Sequence, residues 1–436
     1  MSNTTYYPIY VKMKIIYSIA AVLILGAQCV FGQTSKEEVF QKIEKTGGVY
    51  YAYPVDEIQK QTPAPKGYEP FYISHFGRHG SRYLISDDTY KNTLDLLEDA
   101  YKKNALTGLG VDTYKRLQEV WKEVEWHGGD LSPLGVREHR GIAERMYNSF
   151  PEVFTNNVKV SARSTTIVRC VLSMDAFCER LKELSPTLQM TRESSVKYQR
   201  YLNHHTKEAI AYRSAKNTWR EQYRKFEESH IHPDRLINSL FSDNQYVLTQ
   251  VNPREFMLNL YEIAGGMQNI ETDLTFYDLF EKQELFDLWQ RRNYKVYVND
   301  ANCALNGGIM FENCKPVLRN ILESADEVIK AKDKGVTLRF AHDGNIIPLA
   351  MLLHLKDCYN SESDPAKFYQ AWSDFKVAPM AANIQIVFFR NKKNADDIIV
   401  KFMLNENEIQ VPPVKSDILP YYHWKDIKDY YESLLN

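Results

Sequence analysis

Three β-prone stretches of this chain run straight into polar loops, and that repeated order limits the folds open to it. Phe71 to Ile73 leads into Arg78-His79-Gly80-Ser81-Arg82. Val158 to Ala162 leads into Arg163-Ser164-Thr165-Thr166-Ile167-Val168-Arg169, and Val336 to Ala341 leads into His342-Asp343-Gly344-Asn345. Helical patterns follow the last two loops, from about Thr166 to Leu184 and from Ile346 to Leu355. Further helices are expected over Asp87 to Ala105 and Thr113 to Trp126, and from the N-cap pair Ser132-Pro133 towards Tyr147. Late strands are expected at Ile384 to Phe389 and Ile398 to Met403. Alternating strands and helices predict an α/β fold with a mostly parallel sheet flanked by helices. In such a sheet, ligands bind beyond the carboxyl ends of the strands.

The first loop carries the clearest chemistry. The guanidiniums of Arg78 and Arg82 flank one imidazole, His79, beside a glycine that lets backbone approach a ligand. Guanidiniums match phosphate oxygens in bidentate pairs. An imidazole is the side chain best able to be uncharged and nucleophilic near neutral pH. The arrangement suggests a phosphoryl group held by arginines and attacked by His79. The competing reading is a surface loop that is merely basic.

Arg78-His79-Gly80-Ser81-Arg82 resembles the signature of the histidine phosphatase superfamily, and three later segments extend the resemblance in chain order. Leu131-Ser132-Pro133-Leu134-Gly135 resembles a structural signature at the start of a helix beside the site, and no chemistry is assigned to it. The Arg163 to Arg169 run is similar to that of histidine acid phosphatases, which implies a phosphate-binding role for Arg169. His342-Asp343 resembles the family's His-Asp pair, implying that His342 contacts phosphate and that Asp343 protonates the leaving oxygen. Taken singly, Arg169 reads as a salt-bridged helix residue, His342 as a core histidine and Asp343 as an N-cap. Arg78 to Tyr83 and Pro379-Met380-Ala381-Ala382-Asn383 look most like the branch of multiple inositol polyphosphate phosphatases and phytases. That branch's better-known members carry His-Ala-Glu where this chain has His342-Asp343-Gly344. The resemblance implies no metal and no organic cofactor, and no Cys or His pair has metal-ligand spacing.

The 436 residues, 44% hydrophobic, suit one large domain with an insertion. The α/β domain is expected from residues 33–192 and 316–436, with a mostly helical cap inserted at 193–315. A net charge of −2 offers no electrostatic case for nucleic acid, so an anion site must be a local concentration of Arg and Lys. The cap holds one such stretch, running from Lys197 and Arg200 through His204, His205, Lys207, Arg213, Lys216 and Arg220 to Arg224, with four tyrosines interleaved. A substrate with several phosphates would welcome it. Glu208, Glu221, Glu227 and Glu228 equally suit a solvated helix face.

Residues 1–32 read as an N-terminal extension and signal peptide, with Lys12 and Lys14 before the apolar run Ile15 to Ala27 and cleavage near Gly32. That run is too short for a convincing membrane span, and Met13 is the more compact start. Export permits disulfides. Five cysteines remain, of which Cys303 and Cys314 are the best candidate pair. Cys170 and Cys178 lie two helical turns apart and read as small core residues.

The reading is an exported phosphomonoester hydrolase. Arg78, Arg82, Arg169 and His342 bind phosphate, His79 is the nucleophile and Asp343 the proton donor. The partner is a small phosphorylated substrate, with inositol polyphosphates favoured. A general or sugar-phosphate phosphatase, a phosphoglycerate-mutase-type transferase and a non-catalytic phosphate-ligand binding protein stay open.

Overall fold

A computed structural model describes residues 35–435. The expected export segment lies outside the described residues.

Eight strands form one mixed sheet: β1 (Tyr68–Arg78), β2 (Lys159–Ser164), β3 (Gln189–Ser194), β4 (Gly335–Ala341), β5 (Asn383–Asn391), β6 (Ile398–Leu404), β7 (Asn407–Glu408) and β8 (Tyr421–His423). The order is β3-β2-β4-β1-β5-β6-β7, with β8 also paired to β6. The four strands from β3 to β1 are parallel, whereas β5 joins β1 antiparallel and β6 follows antiparallel. The expected parallel pairing therefore holds for the half of the sheet whose strands are joined by helical crossovers. A short loop joins β5 to β6, and a short loop can only make an antiparallel pair. Strand β3 was not anticipated, because Gln-Met-Thr-Arg-Glu-Ser is a largely exposed edge without apolar alternation.

Central strands buried on both faces need continuous apolar sequence, and every residue of β4 is buried. Val336, Leu338 and Phe340 pack with Ile142 and Met146 of helix Pro133–Ser149 and with Phe177 and Leu181 of helix Val168–Leu184. The opposite face packs on helices Lys315–Ala331, Asp343–Leu352 and Trp424–Leu435. A separate apolar cluster joins helices Asp88–Lys102 and Gly108–Val124 to Asp234–Leu240, Pro253–Met267 and Lys282–Asp300. The helical layer thus draws on residues from both sides of position 193.

Cys303 and Cys314 are free, buried thiols, not a disulfide. Cys314 turns its Sγ towards the carbonyl of Asn345, 3.5 Å away, in the layer under the sheet. Cys170 and Cys178 are buried core residues, as expected.

Candidate active site

Register brings the three sequence segments to one level. Arg78 lies opposite Ala341 across β1 and β4, and Ser164 lies opposite Phe340 across β2 and β4. The chain is then stitched across these ends: His79 N–H donates to Ala341 O at 3.0 Å, and Thr165 N–H to Phe340 O at 3.0 Å. Arg78, His79, Arg82, Arg169, His342 and Asp343 therefore converge.

Two glycines allow the loop to settle there. A Cβ on Gly80 would stand 2.5 Å from Gly135 O, and one on Gly135 only 2.2 Å from Ser81 O. The Leu131 to Gly135 segment is thus a packing surface for the loop, with Ser132 Oγ accepting from Gly135 N–H at the helix start. Both obstructing atoms are backbone and cannot swing aside. Gly135→Ala is expected to destabilise the fold by about 1–3 kcal/mol, read as a lower denaturant midpoint. An unchanged midpoint would refute the close-approach account.

Arg78 is fully buried. Its Nη1 donates to Val49 O at 2.5 Å and Ala378 O at 2.8 Å, and its Nη2 lies 3.3 Å from Asp343 Oδ2. Arg82 donates to Tyr83 O at 2.8 Å and reaches the Tyr50 hydroxyl at 3.3 Å, its guanidinium lying over the Tyr50 ring. Arg169 Nη1 lies 3.4 Å from Gly129 O. These contacts leave the buried Nε–H groups of all three arginines without an acceptor. A buried unsatisfied donor costs about 1–3 kcal/mol. Three such donors on cationic groups suit an oxyanion.

His79 is buried, and its Nδ1 lies 2.9 Å from Gly80 O. A carbonyl only accepts, so Nδ1 carries the proton and Nε2 the lone pair. Burial, followed by Arg78, Arg82 and Arg169, holds this imidazole well below its ordinary range. This favours its neutral, nucleophilic form. The His342 ring sits 5.7 Å from that of His79, with Nε2 3.2 Å from Thr165 Oγ1. Burial lowers the His342 pKa to about 4, with Asp343 opposing and Arg169, Arg78 and Arg82 assisting.

About a third of the Asp343 side chain is exposed. Burial pushes its pKa up, but Arg78 and Arg82 outweigh burial and hold the carboxyl below its usual value. The unliganded site thus does not pre-protonate Asp343. A dianion bound among the arginines would cancel their field and add a like charge, both of which raise that pKa.

Some supporting residues were not foreseen. Glu138 is buried and accepts from Ser81 N–H and Ser81 Oγ at 2.7 Å each. It also accepts from Tyr53 N–H, and Asn269 Oδ1 lies 2.9 Å from the same Ser81 hydroxyl. Burial raises the Glu138 pKa against these hydrogen bonds. Asn345 Oδ1 accepts from His342 N–H, and its Nδ2 donates to Asn203 Oδ1 at 3.1 Å. Asn203 in turn meets His205, His205 meets Arg213, and Arg213 pairs with Asp300. This chain ties the turn that bears Asp343 to the helices above it. Val49 and Tyr50, which contact Arg78 and Arg82, were also missed, and the adjacent Gly47-Gly48 is the signal that could have found them.

Among the described residues, no cluster of three or more His, Cys, Asp or Glu is placed to hold a metal ion, and no helix is long and apolar enough to cross a membrane.

Residues 76–405 match the histidine phosphatase superfamily, branch 2. The chain is 21% identical over 397 residues to multiple inositol polyphosphate phosphatase 1 of Gallus gallus, covering 85% of this chain and 83% of that protein. Its fold is similar to that of Bifidobacterium longum multiple inositol polyphosphate phosphatase, solved with inositol hexasulfate: TM-score 0.74, 16% identity, covering 90% of this chain and 97% of the other. A phytase from D. castellii is also similar, with TM-score 0.64, 16% identity and coverage of 94% and 89%.

Proposed function

This chain belongs to branch 2 of the histidine phosphatase superfamily and is a phosphatase, and from that membership we propose that it hydrolyses phosphate monoesters of a multiply phosphorylated inositol through a phosphohistidine at His79. The observation that carries the reading is the convergence of three arginines on one buried imidazole at the strand ends.

The substrate phosphate is held by the guanidiniums of Arg78, Arg82 and Arg169, with His342 as a further contact. His79 Nε2 attacks phosphorus opposite the ester oxygen. The P–N bond forms as the P–O bond breaks, and charge on the transferring group is met by the arginines. Asp343, protonated once the dianion is bound, gives its proton to the leaving alkoxide. Water then attacks phosphohistidine, the Asp343 carboxylate accepts a proton from it, and inorganic phosphate leaves.

The inositol preference rests on what the relatives are named for. The Asp343 donor, one methylene shorter than the Glu expected in that branch, weighs against it. The test is kcat/KM for inositol hexakisphosphate and glucose 1-phosphate at low and moderate salt. A preference for the first that shrinks as salt screens the charge is expected. A preference for the monophosphate would move the reading to a sugar-phosphate phosphatase and leave the catalytic assignments standing. Export, read from residues 1–32, is part of the same proposal.

A further inference from the structure

The basic stretch noted between Lys197 and Arg224 divides once its partners are known. Arg213 pairs with Asp300 and Arg224 with Glu228, while Arg220 donates to the carbonyls of Ala215 and Arg213. These charges already have partners within their own helices or the helical layer, those of Arg220 and Arg224 at its exposed surface. Lys197 and Arg200, on helix Val196–Leu202, have no carboxylate partner among the described residues. They line a cavity of about 480 Å³ against helix Lys315–Ala331, together with Arg163, Arg319, Tyr198 and Tyr201.

Charge around this cavity is strongly one-sided. Arg319 also has no carboxylate partner among the described residues. Arg163 is paired with Glu193, which lies outside the lining and also accepts from the Tyr198 hydroxyl, and Glu323 is the acidic residue of the lining. Behind the lining lies Arg339, fully buried and next to Arg163 across the β2–β4 pair. Its hydrogen bonds go to Asn320, Ser74 and Ser324, all neutral. A buried guanidinium without a counter-charge is costly unless something else supplies the charge. Four cations therefore line one cleft, with Arg339 buried behind it, in a chain whose net charge is −2. The guanidinium of Arg163 is held over the Tyr198 ring at 4.5 Å, and both residues line the cavity.

We propose that this cleft is a second oxyanion-binding site, separate from the strand-end pocket, for a small molecule carrying two or more phosphate or sulfate groups. The spread of Lys197, Arg200, Arg163 and Arg319 over two helices and a strand suits several anionic groups on one ring better than a single ion. None of the six strand-end residues lines the cleft. The helix that carries Lys197 and Arg200 nonetheless touches the strand-end turn: Gln199 Nε2 donates to Thr166 Oγ1 at 2.8 Å.

The test is calorimetric titration of the full chain with myo-inositol hexasulfate, whose sulfate esters offer no phosphorus to attack. Wild type should bind two equivalents. The double variant Arg200→Glu with Arg319→Glu should bind one, with affinity for the lost site reduced about a hundredfold or more by reversing two charges. Both side chains are exposed, so circular dichroism should show the variant folded. A wild type that binds one equivalent and a variant that binds none would uphold the cleft and instead count against anion binding at the strand-end pocket. Equal stoichiometry in the two proteins, whether one or two, would overturn the second site.

Discussion

Replacing His79 with alanine is expected to abolish turnover, by roughly 10⁴-fold or more, because no second nucleophile can take over the phosphoryl group. The site holds the imidazole ready for this one role. Its Nδ1 is committed to Gly80 O at 2.9 Å, which leaves the Nε2 lone pair for attack. Burial and the three arginines suppress its protonation. The backbone of residue 79, bonded to Ala341 and Ala381, is unaffected by the substitution, so the fold should persist and circular dichroism should be unchanged. The arginines remain, so His79→Ala should still bind a phosphorylated substrate. A folded variant that keeps more than a few per cent of wild-type activity would remove His79 from the mechanism.

Asp343→Asn is expected to show a split between substrates. Alkyl phosphates leave as strongly basic alkoxides and should slow by about 10²–10⁴-fold, the usual reach of general acid catalysis. Aryl phosphates with good leaving groups need little protonation and should slow far less. The pH profile supplies a second signature. Asp343 must be protonated to act, and Arg78 and Arg82 keep its carboxyl below the ordinary range in the free enzyme. A bound dianion raises that pKa. The alkaline fall of kcat for an alkyl phosphate, which reports the complex, should therefore lie at higher pH than the carboxyl step in kcat/KM, which reports the free enzyme. The asparagine variant should lose this fall. Equal loss on alkyl and aryl substrates would make Asp343 a helix-start residue instead of a donor.

That the candidate residues converge was legible because each follows closely on a segment that reads as a strand. Arg78, His79 and Arg82 are nearly contiguous, whereas Arg169, His342 and Asp343 were singled out by the resemblance of their segments to the family. What holds these groups was not legible. Arg78 is gripped by the carbonyls of Val49 and Ala378, and backbone acceptors leave no trace in residue identity. Glu138 lies on an amphipathic helix, where a glutamate ordinarily reads as solvated, and only the packing of the Ser81 turn buries it. The direction of β5 was hidden because burial on both faces erases the strand period, leaving loop length as the only clue. How the basic stretch divides was not legible, because Arg213's partner, Asp300, lies far away in sequence. Cys303 and Cys314 are close in the chain, but Cys314 faces the layer beneath the sheet.

The central claim is that phosphorus becomes bonded to His79 Nε2 during turnover. The direct measurement is a rapid alkaline quench during hydrolysis of inositol hexakisphosphate, followed by peptide mass spectrometry that locates any transferred phosphoryl group. Alkaline conditions are required because a phosphohistidine is lost in acid. The account predicts one phosphoryl group, on the peptide containing His79 and on that residue, absent from the His79→Ala variant. A phosphoryl group found on Ser81, on His342 or on any other side chain, or turnover with no phosphoenzyme at any quench time, would contradict it.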